Sequence, residues 1–242
     1  MPQLTLLQWA LGALCAFSIG MAKTGMPGLG IFVVPTMVLV VGDARQSAGW
    51  LLPVLCAADV VAVLYWRRHA AANRLFSLTP WVVIGILGGA VALNWNDSVL
   101  RPMVGVIVFV MLAIYLYRRF WPGLEPAEAS AIPYGVTAGF ATTVANAAGP
   151  VMNLYLLSKR LPKEEFIATG AWFFFIINLT KIPIYLWHGL ITPASLRFDA
   201  FMIPAILTGA VAGRWLVGRI PMRAFEIAVV VLTILSTLML FR

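Results

Sequence analysis

Six stretches of this chain, residues 47–66, 75–94, 102–117, 166–186, 198–217 and 225–241, are apolar over the length a helix needs to cross a bilayer. A spanning helix takes about 20 apolar residues, because the hydrocarbon core is about 30 Å thick and each residue rises about 1.5 Å. With 62% hydrophobic and only 11% charged residues in 242, the chain carries more apolar surface than a soluble globule of this size can bury. It reads as an all-α, polytopic helical membrane protein, one membrane domain over 1–242. The longest polar gap is RRFWPGLEPAEAS at 118–130, too short for a soluble module.

Two further apolar regions do not make simple spans. Residues 4–42 exceed one helix and are broken by KTGMPGLG (23–30), and residues 131–157 are broken by ANAAGP (145–150). Glycine and proline interrupt a helix there, and freed backbone groups at membrane depth are tolerated only where protein or water satisfies them. The two breaks correspond. A shift of 119 residues places Gly20, Ala22, Thr24 and Gly30 on Gly139, Ala141, Thr143 and Gly149, Asp59 on Asn178, and Pro102 on Pro221. The expectation is two internal repeats, about 4–117 and 131–241, each a broken helix or re-entrant hairpin followed by three spans, giving about 8–10 membrane segments.

Charge orients the segments. RRHAAANR (67–74), Arg118 with Arg119, KRLPK (159–163), and Arg214, Arg219 and Arg223 are expected in the cytoplasm, whereas NWNDS (94–98) and WHGLITPAS (187–195) are poor in cations and belong outside. This threading makes 131–157 start and finish inside, and it makes the repeats inverted, the arrangement in which broken helices build a transport site near the midplane. If 131–157 crosses once instead, the count is about eight and the repeats are parallel. Residues 4–22 have no basic region ahead of them and no small-residue cleavage site, so they are expected to remain in the mature protein.

An ionisable side chain at the bilayer centre costs about 2.5–3.5 kcal/mol on insertion scales. Lys23, Asp59 and Lys181 lie at such depths. A structural reading is available for two of them: Lys181 snorkels toward the interface near Trp187 and His188, and Asp59 forms a buried pair with a lysine. The functional reading joins all three. Glycine-rich breaks present backbone N–H groups, and helices starting there point their positive ends at an anion. Lys23 adds charge, Thr24, Thr143 and Asn146 add neutral donors, and Asn178 shares a helical face with Lys181. Asp59 is then placed to couple anion movement to protons or to balance charge.

Other classes find less support. The net charge of +8 sits in short clusters between apolar runs, which the positive-inside rule explains without nucleic acid. Cys15 and Cys56 lie in apolar runs as small buried hydrophobes, and His69 and His188 fall in interfacial loops. No HExxH, GxSxG or Walker pattern occurs, and the lysine of KTGMPGLG precedes its glycines, unlike a P-loop. No enzyme activity, metal site or cofactor is expected. The partners are a small anion and the lipid bilayer, with lipid-facing surface available for a homodimer.

The blocks AKTGMPGLGIFVVP, LLPVLCAADVVAVLYWRRH, TTVANAAGPVMNLYLLSKRLPKEEF and NLTKIPIY together resemble the TauE/SafE sulfite exporter family. The resemblance implies a multi-pass secondary carrier of the bacterial inner membrane that exports sulfite, sulfonates or related sulfur oxyanions. The family's motif positions fall on Lys23, Thr24, Gly25, Pro27, Gly28, Asp59, Asn146, Gly149, Pro150, Asn178 and Lys181. KTGMPGLG stands where the broader family has a GxGGG-like run, which places the chain in a subgroup. A passive anion channel on the same hairpins is the first alternative reading, and a membrane enzyme or assembly factor the second.

Overall fold

The computed structural model describes residues 4–92, 97–120, 130–145, 147–239 and 241, and these contain ten α-helices and no strand. In chain order they are α1 (Leu6–Thr24), α2 (Val33–Val41), α3 (Ala44–Trp66), α4 (Ala72–Ala92), α5 (Asp97–Phe120), α6 (Ala131–Ala145), α7 (Ala148–Ser158), α8 (Lys163–Trp187), α9 (Pro193–Arg219) and α10 (Met222–Met239). Six are long and apolar enough to cross a membrane: α1, α3, α4, α8, α9 and α10. Within α5 the apolar part is the shorter Pro102–Tyr117. Over the described residues, each of the six spans expected from the sequence lies on a helix, with Phe241 in a turn past the end of α10, and α1 is an additional helix of spanning length. NWNDS at 94–98, most of the 118–130 gap and Asn146 lie outside the residues whose side chains are described.

Local chemistry explains where these helices begin and end. Thr5 caps α1 in a reciprocal box with Gln8, and Thr192 caps α9 in the same way with Ser195. Asp43 opens α3 by accepting the Gln46 backbone N–H at 2.7 Å. At the other end of α2, Gly42 adopts a left-handed φ of 84°, which stops the helix at low steric cost.

Both broken regions are hairpins. After α1 the chain turns through Gly25–Gly28 and a 3-10 turn at Leu29–Phe32, and α2 runs back along α1. The Cys15 thiol faces the Val33 carbonyl at 3.9 Å, and Gln8 Nε2 donates to the Val40 carbonyl at 2.9 Å. In the second region Tyr134, early in α6, stacks on Tyr155, late in α7, with ring centroids 5.7 Å apart. The element order is therefore a hairpin and three helices, given twice.

The chain forms two compact units. The first comprises Met1–Ala70 and Ile167–Pro221, the second Ala71–Phe166 and Met222–Arg242. Each draws on both halves of the sequence. In the first unit α1, α3 and α9 run parallel: Gly12 meets Phe198, Gly20 meets Ile206 and Gly25 meets Gly213 along α1 and α9, while Trp50 and Tyr65 of α3 meet Phe198 and Arg214. Ile19, Met37, Leu51 and Met202 belong to the core between these helices. In the second unit α4 runs parallel to α6, Phe166 packs edge-on to Phe225, and Asn153 Nδ2 donates to the Thr233 hydroxyl at 3.3 Å.

The tightest helix contacts have the same form in both units. In the first, Gly20 abuts the Ile206 carbonyl, Gly209 abuts the Phe17 carbonyl, and Gly213 faces Thr24. In the second, Gly139 abuts the Val82 carbonyl, Gly85 abuts the Val136 carbonyl, and Gly89 faces Thr143. A side chain at any of these glycines would collide with the opposing helix. Small residues are what allow membrane helices to approach this closely.

Candidate functional site

Lys23 occupies the last turn of α1, and its ammonium lies 2.7 Å from Asp59 Oδ1 on α3. Asp59 is fully buried, while the Lys23 side chain keeps 13% of its surface exposed. The other carboxylate oxygen accepts from Asn178 Nδ2 on α8 at 2.7 Å. Lys23 also lies over the ring of Phe174, 4.3 Å from its centroid and one helical turn before Asn178. Three helices thus converge on one carboxylate. The buried pair of Asp59 with a lysine, one of its two readings, is present in the structure.

Lys181 follows Asn178 by three residues, so it lies on the same side of α8. It is partly buried, and its charge acts on both Asp59 and Cys56. Two lysines and one carboxylate thus share this part of the first unit.

The break after Lys23 is held from two directions. Trp66, at the end of α3, donates its indole N–H to the Thr24 carbonyl at 3.2 Å, satisfying one of the carbonyls a helix end leaves over. The Thr24 hydroxyl donates to the Ala210 carbonyl on α9 at 2.7 Å, with the Gly20 carbonyl at 3.0 Å. Thr24 was expected as a donor to the anion, but its single proton is used in docking α1 on α9. The Thr143 hydroxyl likewise donates to the Gly139 carbonyl at 2.9 Å. In an apolar interface a free hydroxyl proton is costly, and the carbonyl one turn back is the nearest acceptor.

The expected glycines have different roles. Gly25 is a packing site, since a Cβ there would collide with the Gly213 backbone, and Gly28 takes φ 106° in the turn after Pro27. Gly149 faces open space, and Pro150 is buried in the first turn of α7. Lys23, Thr24, Gly25, Pro27, Gly28, Asp59, Asn178 and Lys181 all belong to the first unit, Thr143, Gly149 and Pro150 to the second, and Asn146 lies outside the described residues. Phe174 and Trp66 went unnoticed in the sequence, because aromatic residues are ordinary in membrane helices and only their contacts with Lys23 and Thr24 single them out.

A family profile described as Sulfite exporter TauE/SafE matches residues 11–240. No curated protein and no solved structure matches the chain. The profile takes in both hairpins apart from the first residues of α1, the other long apolar helices and every residue of the Lys23–Asp59 cluster. This multi-pass helical membrane protein therefore belongs to the TauE/SafE sulfite exporter family.

Proposed function

We propose that the protein is a secondary carrier that exports sulfite or a small organosulfonate across the bacterial inner membrane, with the anion bound at the Lys23, Asp59, Asn178 and Lys181 cluster. The observation that carries this reading is the buried Lys23–Asp59 ion pair next to a broken helix, with Lys181 within electrostatic reach of the same carboxylate. Lys23 and Lys181 supply positive charge for an oxyanion, and the Asn178 amide offers a neutral donor beside them.

Asp59 supplies the coupling. With the carboxylate ionised, Lys23 is engaged by it at 2.7 Å. A proton on Asp59 releases the Lys23 ammonium for the substrate, so that one proton and one anion enter together and the net charge of the cluster does not change. The groups that face Asp59 and set this exchange are Lys23 on α1, Cys56 on its own helix, and Asn178 and Lys181 on α8.

The paired hairpins support a duplicated architecture. With α1 superposed on α6 at an offset of 119, and α4 on α9 at an offset of 124, Gly20, Thr24, Gly209 and Gly213 coincide with Gly139, Thr143, Gly85 and Gly89. The same helix pair is thus built twice, with its partners drawn each time from opposite halves of the chain. We take this as the signature of two repeats, inverted as the distribution of cations requires.

Reconstitution tests the transport reading. Proteoliposomes loaded with labelled sulfite should show saturable efflux and counterflow. Lys23→Ala and Lys181→Ala should each reduce efflux at least tenfold. Unchanged efflux in both variants would remove the anion from this cluster, and flux without saturation or counterflow would make the protein a channel.

A further inference from the structure

Asp199 is a second buried acid, separate from the cluster. It lies on α9, about 9 Å from the start of that helix at about 1.5 Å per residue. Ser195, Phe198, Met202 and Ile206 share its buried face. Asp199 is only 8% exposed, and neither carboxylate oxygen has a hydrogen-bond partner among the described residues.

Among the described residues, the neighbouring helices meet this level of α9 with aromatic rings and a glycine. α9 packs on α1 and α3, which present Trp9, Gly12 and Trp50 at this level. The titratable group on this half of α1, Cys15, is turned to the Val33 carbonyl, and Asp43, ahead of α3, is occupied as that helix's cap. The side chain of Arg45 lies outside the described residues, and Arg197 is exposed on another face of α9. Ser195 spends its hydroxyl proton on the Thr192 carbonyl at 2.9 Å.

An acid enclosed in this way is tolerated in a membrane helix only when something neutralises it. A metal ion requires several oxygen, nitrogen or sulfur ligands. No group of three or more His, Cys, Asp or Glu side chains suited to a metal exists among the described residues. A proton needs only the carboxylate. We propose that Asp199 is a proton-binding site of the first unit, loaded from the membrane face at which α9 begins and distinct from the Lys23–Asp59 pair. The two sites lie at different depths. The Thr24 hydroxyl, beside Lys23, bonds to the Ala210 carbonyl, and Asp199 is eleven residues earlier on α9, about 16 Å along the axis.

Infrared difference spectroscopy of the full chain in liposomes tests this without reference to any substrate. At neutral pH the wild type should show the carbonyl band of a protonated carboxylic acid, and Asp199→Asn should lose it while Asp59→Asn keeps it. A band that survives Asp199→Asn overturns the proposal, and so does its absence from the wild type. Asp199→Ser is the second variant should the first fold poorly; since no partner is lost, both should unfold within a few degrees of wild type, and a large drop would reveal a structural partner and overturn the assignment. A pH dye inside sulfite-loaded vesicles gives the functional arm. With Asp59 still carrying one proton per anion, proton movement per anion should fall about twofold in Asp199→Asn, and an unchanged ratio would exclude Asp199 from the transport cycle. If the wild type moves no sulfite, the substrate reading fails while the infrared result still decides the site.

Discussion

Lys23 and Asp59 are bound to each other before either meets a substrate, and this determines what their removal does. Lys23→Ala leaves a fully buried carboxylate with the Asn178 amide but without the cation in contact with it. Breaking a buried pair from one side costs about 3–5 kcal/mol, whereas replacing both partners by apolar groups is often neutral. Lys23→Ala should therefore unfold earlier in a detergent melt, and Lys23→Met with Asp59→Leu should recover stability without recovering efflux. That combination separates a structural pair from a transport site. Asp59→Asn keeps the shape and removes the titration, so efflux should become less dependent on pH while its maximal rate changes less; a profile that stays parallel to wild type would return Asp59 to a structural role. Phe174 holds Lys23 from the other side, 4.3 Å from the ring centroid. A cation–π contact of about 0.5–2 kcal/mol makes Phe174→Leu about 2- to 30-fold weaker in apparent substrate affinity, with Phe174→Tyr restoring it. An unaltered KM for Phe174→Leu would leave the ring as packing alone.

At the scale of elements, the glycines divide by what they meet. Gly20 and Gly139 lie against carbonyls of the neighbouring helix, so even a methyl group must push two backbones apart. Gly20→Ala and Gly139→Ala should each cost about 1–3 kcal/mol, as overpacking does, and by similar amounts because the two interfaces are built alike. Gly30 has open space where a Cβ would go and no unusual backbone angle, so Gly30→Ala should be silent in the same unfolding assay. A destabilising Gly30→Ala would mean that the break at 23–30 is packed more tightly than the structure shows. The hairpins were legible as breaks because glycine and proline interrupt a helix in a local way. Their return along α1 and α6 was not, because the direction a chain takes after a break depends on long-range contacts such as Gln8 with Val40 and Tyr134 with Tyr155.

Across the whole molecule, the parallel course of α3 and α9 gives the topology a direct test. The loop after α3 carries Arg67 and Arg68, α9 ends in Arg219, and the turn before α9 contains His188. The first two lie at one end of the first unit and the last at the other. In a background with Cys15 and Cys56 replaced, Arg68→Cys should react with an impermeant maleimide only from the cytoplasmic side, and His188→Cys only from the outside. Labelling of both from one face would refute the topology. Leu39, Phe76 and Trp187 are exposed apolar side chains.

The sequence by itself determined that this is a helical membrane protein, where its long apolar segments lie, and that two glycine-rich breaks and three ionisable residues needed explaining. These are local properties, because hydropathy, helix interruption and the cost of burying a charge are carried by short stretches of chain. Only the tertiary structure decided that Lys23 is spent on Asp59, that Thr24 docks α1 on α9 instead of waiting for an anion, and that each compact unit takes helices from both halves. It also brought out Asp199, which the sequence places near a helix end, where a solvated acid is unremarkable. Whether a side chain meets water, a partner or neither depends on which distant helices close around it, and no local pattern records that.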